Sequence, residues 1–230
     1  MCRKNDLPTE PKSPSRSRSA KEVRKVNRDK STDPAPTQLW IECENRNWDR
    51  ALLVLKGKPS DAQIAGDYGR LPLHEVCIGA APLKIVRAIL VDAPRTISTP
   101  DDFGQLPLHY AAKWGAPLDV LALLIRIYPQ AQRVRDHKGR TPLHFACFCK
   151  STTFDVIHLL LQMDGGVATI VDDEGRTPLH YAAKFEAPFD IQWALFMHHP
   201  RAVRIEDQKG CTPVQYGLDN STFAKCLGTL

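Results

Sequence analysis

The chain has 230 residues, 43% of them hydrophobic and 25% charged, with a formal net charge of +5. These proportions sit near soluble averages, so a buried core can extend over most of the length. No apolar run approaches the ~20 residues that span a bilayer, and the opening Met-Cys-Arg-Lys-Asn-Asp lacks the apolar stretch of a secretory signal. A cytoplasmic or nuclear protein without a membrane span is the expectation.

Residues 1–36 hold ten of the 31 Lys/Arg and five of the 26 Asp/Glu, which leaves 21 of each sign in residues 37–230. The basic surplus therefore belongs to the N-terminal segment, and the remainder is neutral. That segment is rich in Pro, Ser, Lys and Arg and too poor in large apolar side chains to offset its ordering entropy, so a disordered tail is expected over 1–36. Its Ser13-Pro14-Ser15-Arg16-Ser17-Arg18-Ser19 run invites phosphorylation, which adds about −2 per site. Basic tails also contact nucleic-acid phosphates without sequence preference. The absence of any aromatic residue between Met1 and Gln38 argues against sequence-specific reading, so nucleic acid is a weak partner of residues 1–36.

An apolar pattern starts at Leu39, Trp40, Leu52, Leu53 and Leu55, and a recurring octet follows. It opens at Gly69 (GRLPLHEV), Gly104 (GQLPLHYA), Gly139 (GRTPLHFA), Gly175 (GRTPLHYA) and Gly210 (GCTPVQYG), at spacings of 35, 35, 36 and 35 residues. A constant period in this range is the signature of a stacked solenoid. Pro59, Pro94, Pro129 and Pro200 carry the period back before the first octet. The expected organisation is an N-terminal half-repeat at 37–65, repeats starting near 66, 101, 136 and 172, and a truncated C-terminal repeat at 207–230.

Each unit reads physically. A turn closes on an Asp and a Gly: Asp67 to Gly69, Asp102 to Gly104, Asp136 to Gly139, Asp172 to Gly175, Asp207 to Gly210. The Asp accepts backbone N–H bonds and the Gly takes positive φ. Thr141, Thr177 and Thr212 suit N-caps, with Pro142, Pro178 and Pro213 at the first helical position. A second helix starts after Pro82, Pro117 and Pro188, with helical apolar spacing at Leu118, Leu121, Leu124 and Ile125. The seven cysteines show no regular pairing distance, and Cys77 and Cys147 stand where other units have Ala112 and Ala183, which fits small buried thiols in a reducing compartment.

Four histidines, His74, His109, His144 and His180, recur at the period. Neighbouring repeats stack about 10 Å apart, far beyond the ~2.0–2.1 Å of zinc ligation, so no metal site is expected. Cys147-Phe-Cys149 is too close for a Cys-x-x-Cys site. No phosphate-binding loop, nucleophile elbow or kinase motif is present. Neither catalytic residues nor a cofactor are expected.

In these residues, above all Thr-Pro-Leu-His-x-Ala at 141–146 and 177–182, the chain resembles the ankyrin-repeat family over residues 37–230, with leucine for threonine at Leu71 and Leu106 and a period longer than the family's usual ~33. The extra residues are expected in the loop after the second helix, around Tyr128 to Gln132. The resemblance implies a mainly α solenoid of helix-turn-helix units joined by short β-hairpin loops. It implies structural histidines, bonded to the hairpin or to the Thr hydroxyl. It also implies that partners are gripped by hairpin tips and the outward face of the first helix. By position from the turn glycine, this selects Tyr68, Phe103 and Lys138 at the tips and Arg70, Gln105, Arg140 and Arg176 just after the glycine. At the first-helix ends it selects Lys113, Trp114, Phe148, Lys184 and Phe185. A stripe of Arg, Lys and aromatic residues is the composition of interface hot spots, and it suits an acidic, partly apolar protein segment.

The expected function is therefore non-catalytic protein binding by a monomer, as an adaptor, scaffold or inhibitor. The alternative is a nucleic-acid-associated protein in which the tail supplies phosphate contacts and the repeats recruit a protein partner.

Overall fold

A computed structural model describes residues 35–149 and 152–217. The expected tail, up to residue 34, and the end of the truncated last repeat, from residue 218, lie outside the described residues. Eleven α-helices and no strand occur among the described residues. The inner helices are α1 (Gln38–Glu44), α3 (Pro72–Ile78), α5 (Pro107–Trp114), α7 (Pro142–Phe148), α9 (Pro178–Lys184) and α11 (Pro213–Tyr216). The outer helices are α2 (Trp48–Gly57), α4 (Leu83–Asp92), α6 (Leu118–Ile127), α8 (Phe154–Met163) and α10 (Phe189–His198).

Each inner helix packs on the next inner helix and each outer helix on the next outer one, which makes two layers. Between them lie the leucines of the octet, Leu73, Leu108, Leu143 and Leu179, none more than 2% exposed. Cys77 and Cys147 are buried free thiols, as the small-residue reading expects. Alanines Ala111, Ala112, Ala146, Ala182 and Ala183, also buried, let the inner helices approach closely.

The hairpin loops are tight turns rather than strand pairs. Each is closed by one backbone bond, from Gly66 to Arg70, Asp101 to Gln105, Asp136 to Arg140, Asp172 to Arg176 and Asp207 to Cys211, at 2.9–3.0 Å. The turn glycines take φ between 68° and 77°, the left-handed region where a Cβ is penalised. Successive tips are joined by a single rung: Asp102, His137, Asp173 and Gln208 donate N–H to the carbonyls of Tyr68, Phe103, Lys138 and Glu174.

The long period has a structural cause. After every outer helix comes a five-residue 3₁₀ turn: Pro59–Gln63, Pro94–Ser98, Pro129–Arg133, Gly165–Thr169 and Pro200–Arg204. Proline fixes the first position in four of them. Where Gly165 replaces it, the Asp164 carboxylate accepts the Gly166 N–H at 3.0 Å and is itself clamped by Arg133 at 2.6 and 2.8 Å. The thirty-sixth residue of the unit after Gly139 sits elsewhere. Outer helices begin 14 residues after Gly69, Gly104 and Gly175 but 15 after Gly139. The additional residue therefore falls between α7 and α8, and the expectation that all extra residues follow the second helix is corrected to that extent.

Candidate protein-contact surface

The hairpin row and the inner-helix ends are organised by two buried columns. The first is of aspartates. Asp101, Asp136, Asp172 and Asp207 each accept two backbone N–H bonds on Oδ1, from the residues two and four positions on, at 2.8–3.0 Å. The sequence reading placed Asp67 and Asp102 in this role. In the structure they stand one position later, in the place of His137, Asp173 and Gln208, and the first turn has Gly66 where the others have the buried aspartate.

The second oxygen of three of the four buried aspartates is satisfied by a tyrosine nine positions later. Tyr110, Tyr181 and Tyr216 donate their hydroxyls to Asp101, Asp172 and Asp207 at 2.6–2.7 Å. Phe145 occupies that place in the fourth unit and has no hydroxyl, so Arg140 donates to Asp136 Oδ2 instead, at 2.7 and 2.9 Å. The electrostatics follow. Burial raises the Asp101 carboxyl above its ordinary range and outweighs the Tyr110 and backbone hydrogen bonds. At Asp136 burial acts the same way, but the Arg140 guanidinium more than offsets it and the carboxyl lies below the ordinary range.

Arg140→Ala strands a buried carboxylate and is expected to cost about 3–5 kcal/mol. Adding Phe145→Tyr, which supplies the hydroxyl its sister units use, should return about 1 kcal/mol. Urea unfolding of the two variants checks this, and a double variant no more stable than Arg140→Ala sinks the exchange.

The second column is of histidines. His74, His109, His144 and His180 accept the N–H of the residue starting their own inner helix on Nδ1, at 3.0–3.1 Å. Since Nδ1 accepts, Nε2 carries the proton and donates to the carbonyls of Gln105, Arg140, Arg176 and Cys211, one unit ahead, at 3.1–3.3 Å. The Thr141 and Thr177 hydroxyls also lie 2.9 Å from Nδ1. The ring thus reaches both the hairpin and the hydroxyl, as the resemblance implied. Because the histidine supplies the cap, Leu71 and Leu106 are tolerated where other units have threonine. The column is closed at both ends by other chemistry. Gln215 Oε1 accepts the Thr212 N–H at 2.8 Å, and Trp40 Nε1 donates to the Arg70 carbonyl at 2.8 Å.

These columns withdraw four of the twelve expected contact residues. Arg140 and Arg176 are 7% and 3% exposed, the first paired with Asp136 and the second with Asp207 and Glu174. Gln105 is buried in its turn, and Lys184, 8% exposed, lies over the Tyr216 ring at 5.3 Å. They hold the stack together and present little side chain to a partner. The sequence reading missed the tyrosines, although the repeated nine-residue interval from Asp101, Asp172 and Asp207 is visible in the sequence.

The other eight remain at the surface: Tyr68 and Lys138 are exposed, and Arg70, Phe103, Lys113, Trp114, Phe148 and Phe185 are half-buried. They form two groups. At the first two tips the Tyr68 and Phe103 ring centroids are 5.8 Å apart, with Arg70 5.1 Å over Tyr68. At the inner-helix ends Lys113 Nζ lies 5.4–5.5 Å from the Trp114, Phe145 and Phe148 rings, and Phe148 meets Phe185 edge-on at 4.5 Å. Beside Phe185 is an open notch lined by Cys147, Cys149, Phe185, Glu186, Ala187 and Pro188. Such a surface can bury a partner's apolar side chain, with cation–π and charge contacts around it. Among the described residues no group of three or more His, Cys, Asp or Glu is placed to hold a metal ion, and no helix is long and apolar enough to cross a membrane.

Comparisons with known proteins agree with this architecture. No curated protein matches the sequence. A chain from a solved complex of a predatory endopeptidase from Bdellovibrio bacteriovorus with an immunity protein is similar in fold, with a TM-score of 0.65 at 19% identity, covering 85% of this chain and 99% of that one. Identity at that level speaks for the fold alone. Residues 117–209 match the family model of ankyrin repeats in three copies, and the same helix pair, aspartate turn and histidine bridge recur before that span. Over residues 117–209 the chain is built of ankyrin repeats.

Proposed function

We propose that this protein is a non-catalytic protein-binding module, acting as an adaptor, scaffold or inhibitor. The observation that carries the reading is the half-buried ring cluster at the inner-helix ends, where Trp114 and Phe148 flank the Lys113 ammonium and Phe185 meets Phe148 beside an open notch. Large aromatic side chains left at a surface by a fold with an ample core mark contact sites. The Tyr68–Phe103 tips form a second contact point along the same row.

The test is capture from cell extract by the full chain, followed by affinity measurement on the captured protein. Trp114→Ala together with Phe148→Ala should weaken binding at least about tenfold, as truncated hot-spot residues do. The thermal midpoint is to be followed in parallel. Unchanged affinity in a folded double variant overturns the site. Capture of nucleic acid alone, lost with rising salt, overturns the function.

A further inference from the structure

The first two hairpin tips differ from the rest in a way that partner binding does not account for. Tyr68 sits at φ 61°, ψ 30°, a left-handed conformation that a bulky side chain rarely holds, and its ring is 45% exposed against Phe103. Beside the two rings stand Asp67 and Asp102, and neither carboxylate forms an ion pair or accepts a hydrogen bond among the described residues. The later tips are occupied or opposite in charge. His137 and Lys138 form the third, and at the fourth Asp173 is held by Arg135 at 2.9 Å and Glu174 by Arg176. An exposed ring pair flanked by two unengaged carboxylates is thus confined to the N-terminal end of the row. It suits a cationic, extended segment whose ammonium or guanidinium groups lie over the rings and against the acids.

Such a segment precedes α1 in the sequence. Residues 12–30 carry eight Lys/Arg and two Asp/Glu. Thr37 caps α1, and Trp40 on that helix bonds the carbonyl of Arg70, so the chain reaches α1 directly beside the first hairpin. A flexible chain spans about 5–6 Å times the square root of its length. Five to 14 residues, the sequence separation of Lys30 to Lys21 from Ala35, correspond on that scale to a reach of about 12–21 Å. Repeats stack about 10 Å apart, which puts the first two tips within this radius and the fourth, at about 30 Å, beyond it. Tethering at such range gives an effective concentration in the millimolar regime, enough to populate contacts too weak to hold two separate molecules together.

We propose that the basic N-terminal segment, residues 12–30, docks within the same chain on the Tyr68–Phe103 ring pair between Asp67 and Asp102. The consequence rests on the binding function proposed above: a segment lying there covers one of the two contact points, and a partner must displace it.

Zero-length carbodiimide cross-linking of the full chain, mapped by mass spectrometry, tests the contact without needing any partner. Lys21, Lys25 and Lys30 should link to Asp67 and Asp102 at least tenfold more than to the exposed Asp119, Asp155 and Asp190. Raising salt from about 50 mM to about 500 mM should erase that preference, since screening shortens to a few ångströms. The Asp67→Asn, Asp102→Asn double variant should lose the links while keeping its thermal midpoint. Links spread evenly over the exposed acids, a map indifferent to salt, or links found only between chains would each overturn the proposal. A chain that captures no partner yet gives the expected map would refute the binding function and leave this contact standing.

Discussion

Between pH 7 and pH 5 the protein is expected to lose most of its stability, and the histidine column is the reason. Burial lowers His74 to about 3 and His109 and His144 to about 4, and lowers His180 as well. Each Nδ1 accepts a backbone N–H, so a proton placed there would face a donor. In the unfolded chain the same rings titrate near the ordinary value of about 6.5. The folded values lie below the unfolded ones, so the unfolded state binds more protons across the window between them. Stability is complete above about pH 6.5 and falls as pH drops toward 4. Each ring contributes up to about 1.4 kcal/mol per pH unit, and the three lowered to about 3 or 4 together approach about 4 kcal/mol per unit, against a typical total of about 5–15 kcal/mol. Asp136 and Asp207, held below the ordinary carboxylate range, add losses in the same direction at lower pH.

Urea midpoints at pH 7 and pH 5 measure this directly. Gln215 shows that an amide can hold the same N–H without titrating, so His144→Gln with His180→Gln should roughly halve the pH slope. Equal wild-type midpoints at the two pH values would refute the account.

The second large effect runs against the repeat consensus. Gly66→Asp would install the residue that the other four turns carry, yet it should destabilise by about 3–5 kcal/mol, comparable with losing a buried aromatic side chain. A Cβ at Gly66 falls 2.4 Å from Trp40 Cε2, and the indole is only 2% exposed. The added atom must evict Trp40 from the end of the core and break its bond to Arg70. Gly66→Ala should do comparable harm, because any Cβ at that position meets the indole. Thermal denaturation decides the matter: a Gly66→Asp chain at least as stable as the parent would show that the indole has somewhere else to go.

The two effects also mark what could be read in the sequence. The period, the turn glycines and the inner helices were legible because the local constraints recur: positive φ needs glycine, and proline tolerates only the first helical position. The histidines were legible as structure because their spacing excludes a shared ligand. Arg140 and Arg176 were not legible as buried, since arginine after a turn glycine looks the same whether it faces solvent, a carboxylate of its own turn or one a unit away. Only the loss of the hydroxyl at Phe145 hints that Arg140 has taken its place. Trp40 and Gly66 were harder still, because the exchange replaces one column's ring and the other column's carboxylate with a single indole. Tyr68 is exposed and Phe103, Lys113, Trp114, Phe148 and Phe185 are half-buried, and the division of these candidates into two clusters depends on which rings touch.

The histidine bridge has one more consequence. Every Nε2 bond runs to the unit immediately ahead, over 31 or 32 residues, and never skips a unit. The tip rungs obey the same nearest-neighbour rule. A cut at equivalent points of any two internal units therefore leaves no bridging histidine and no tip N–H without a carbonyl to receive it, provided the tryptophan start and the glutamine finish are kept. Gene duplication or excision of one such unit can lengthen or shorten the molecule in whole steps, and the number of repeats becomes a heritable variable independent of the chemistry that joins them.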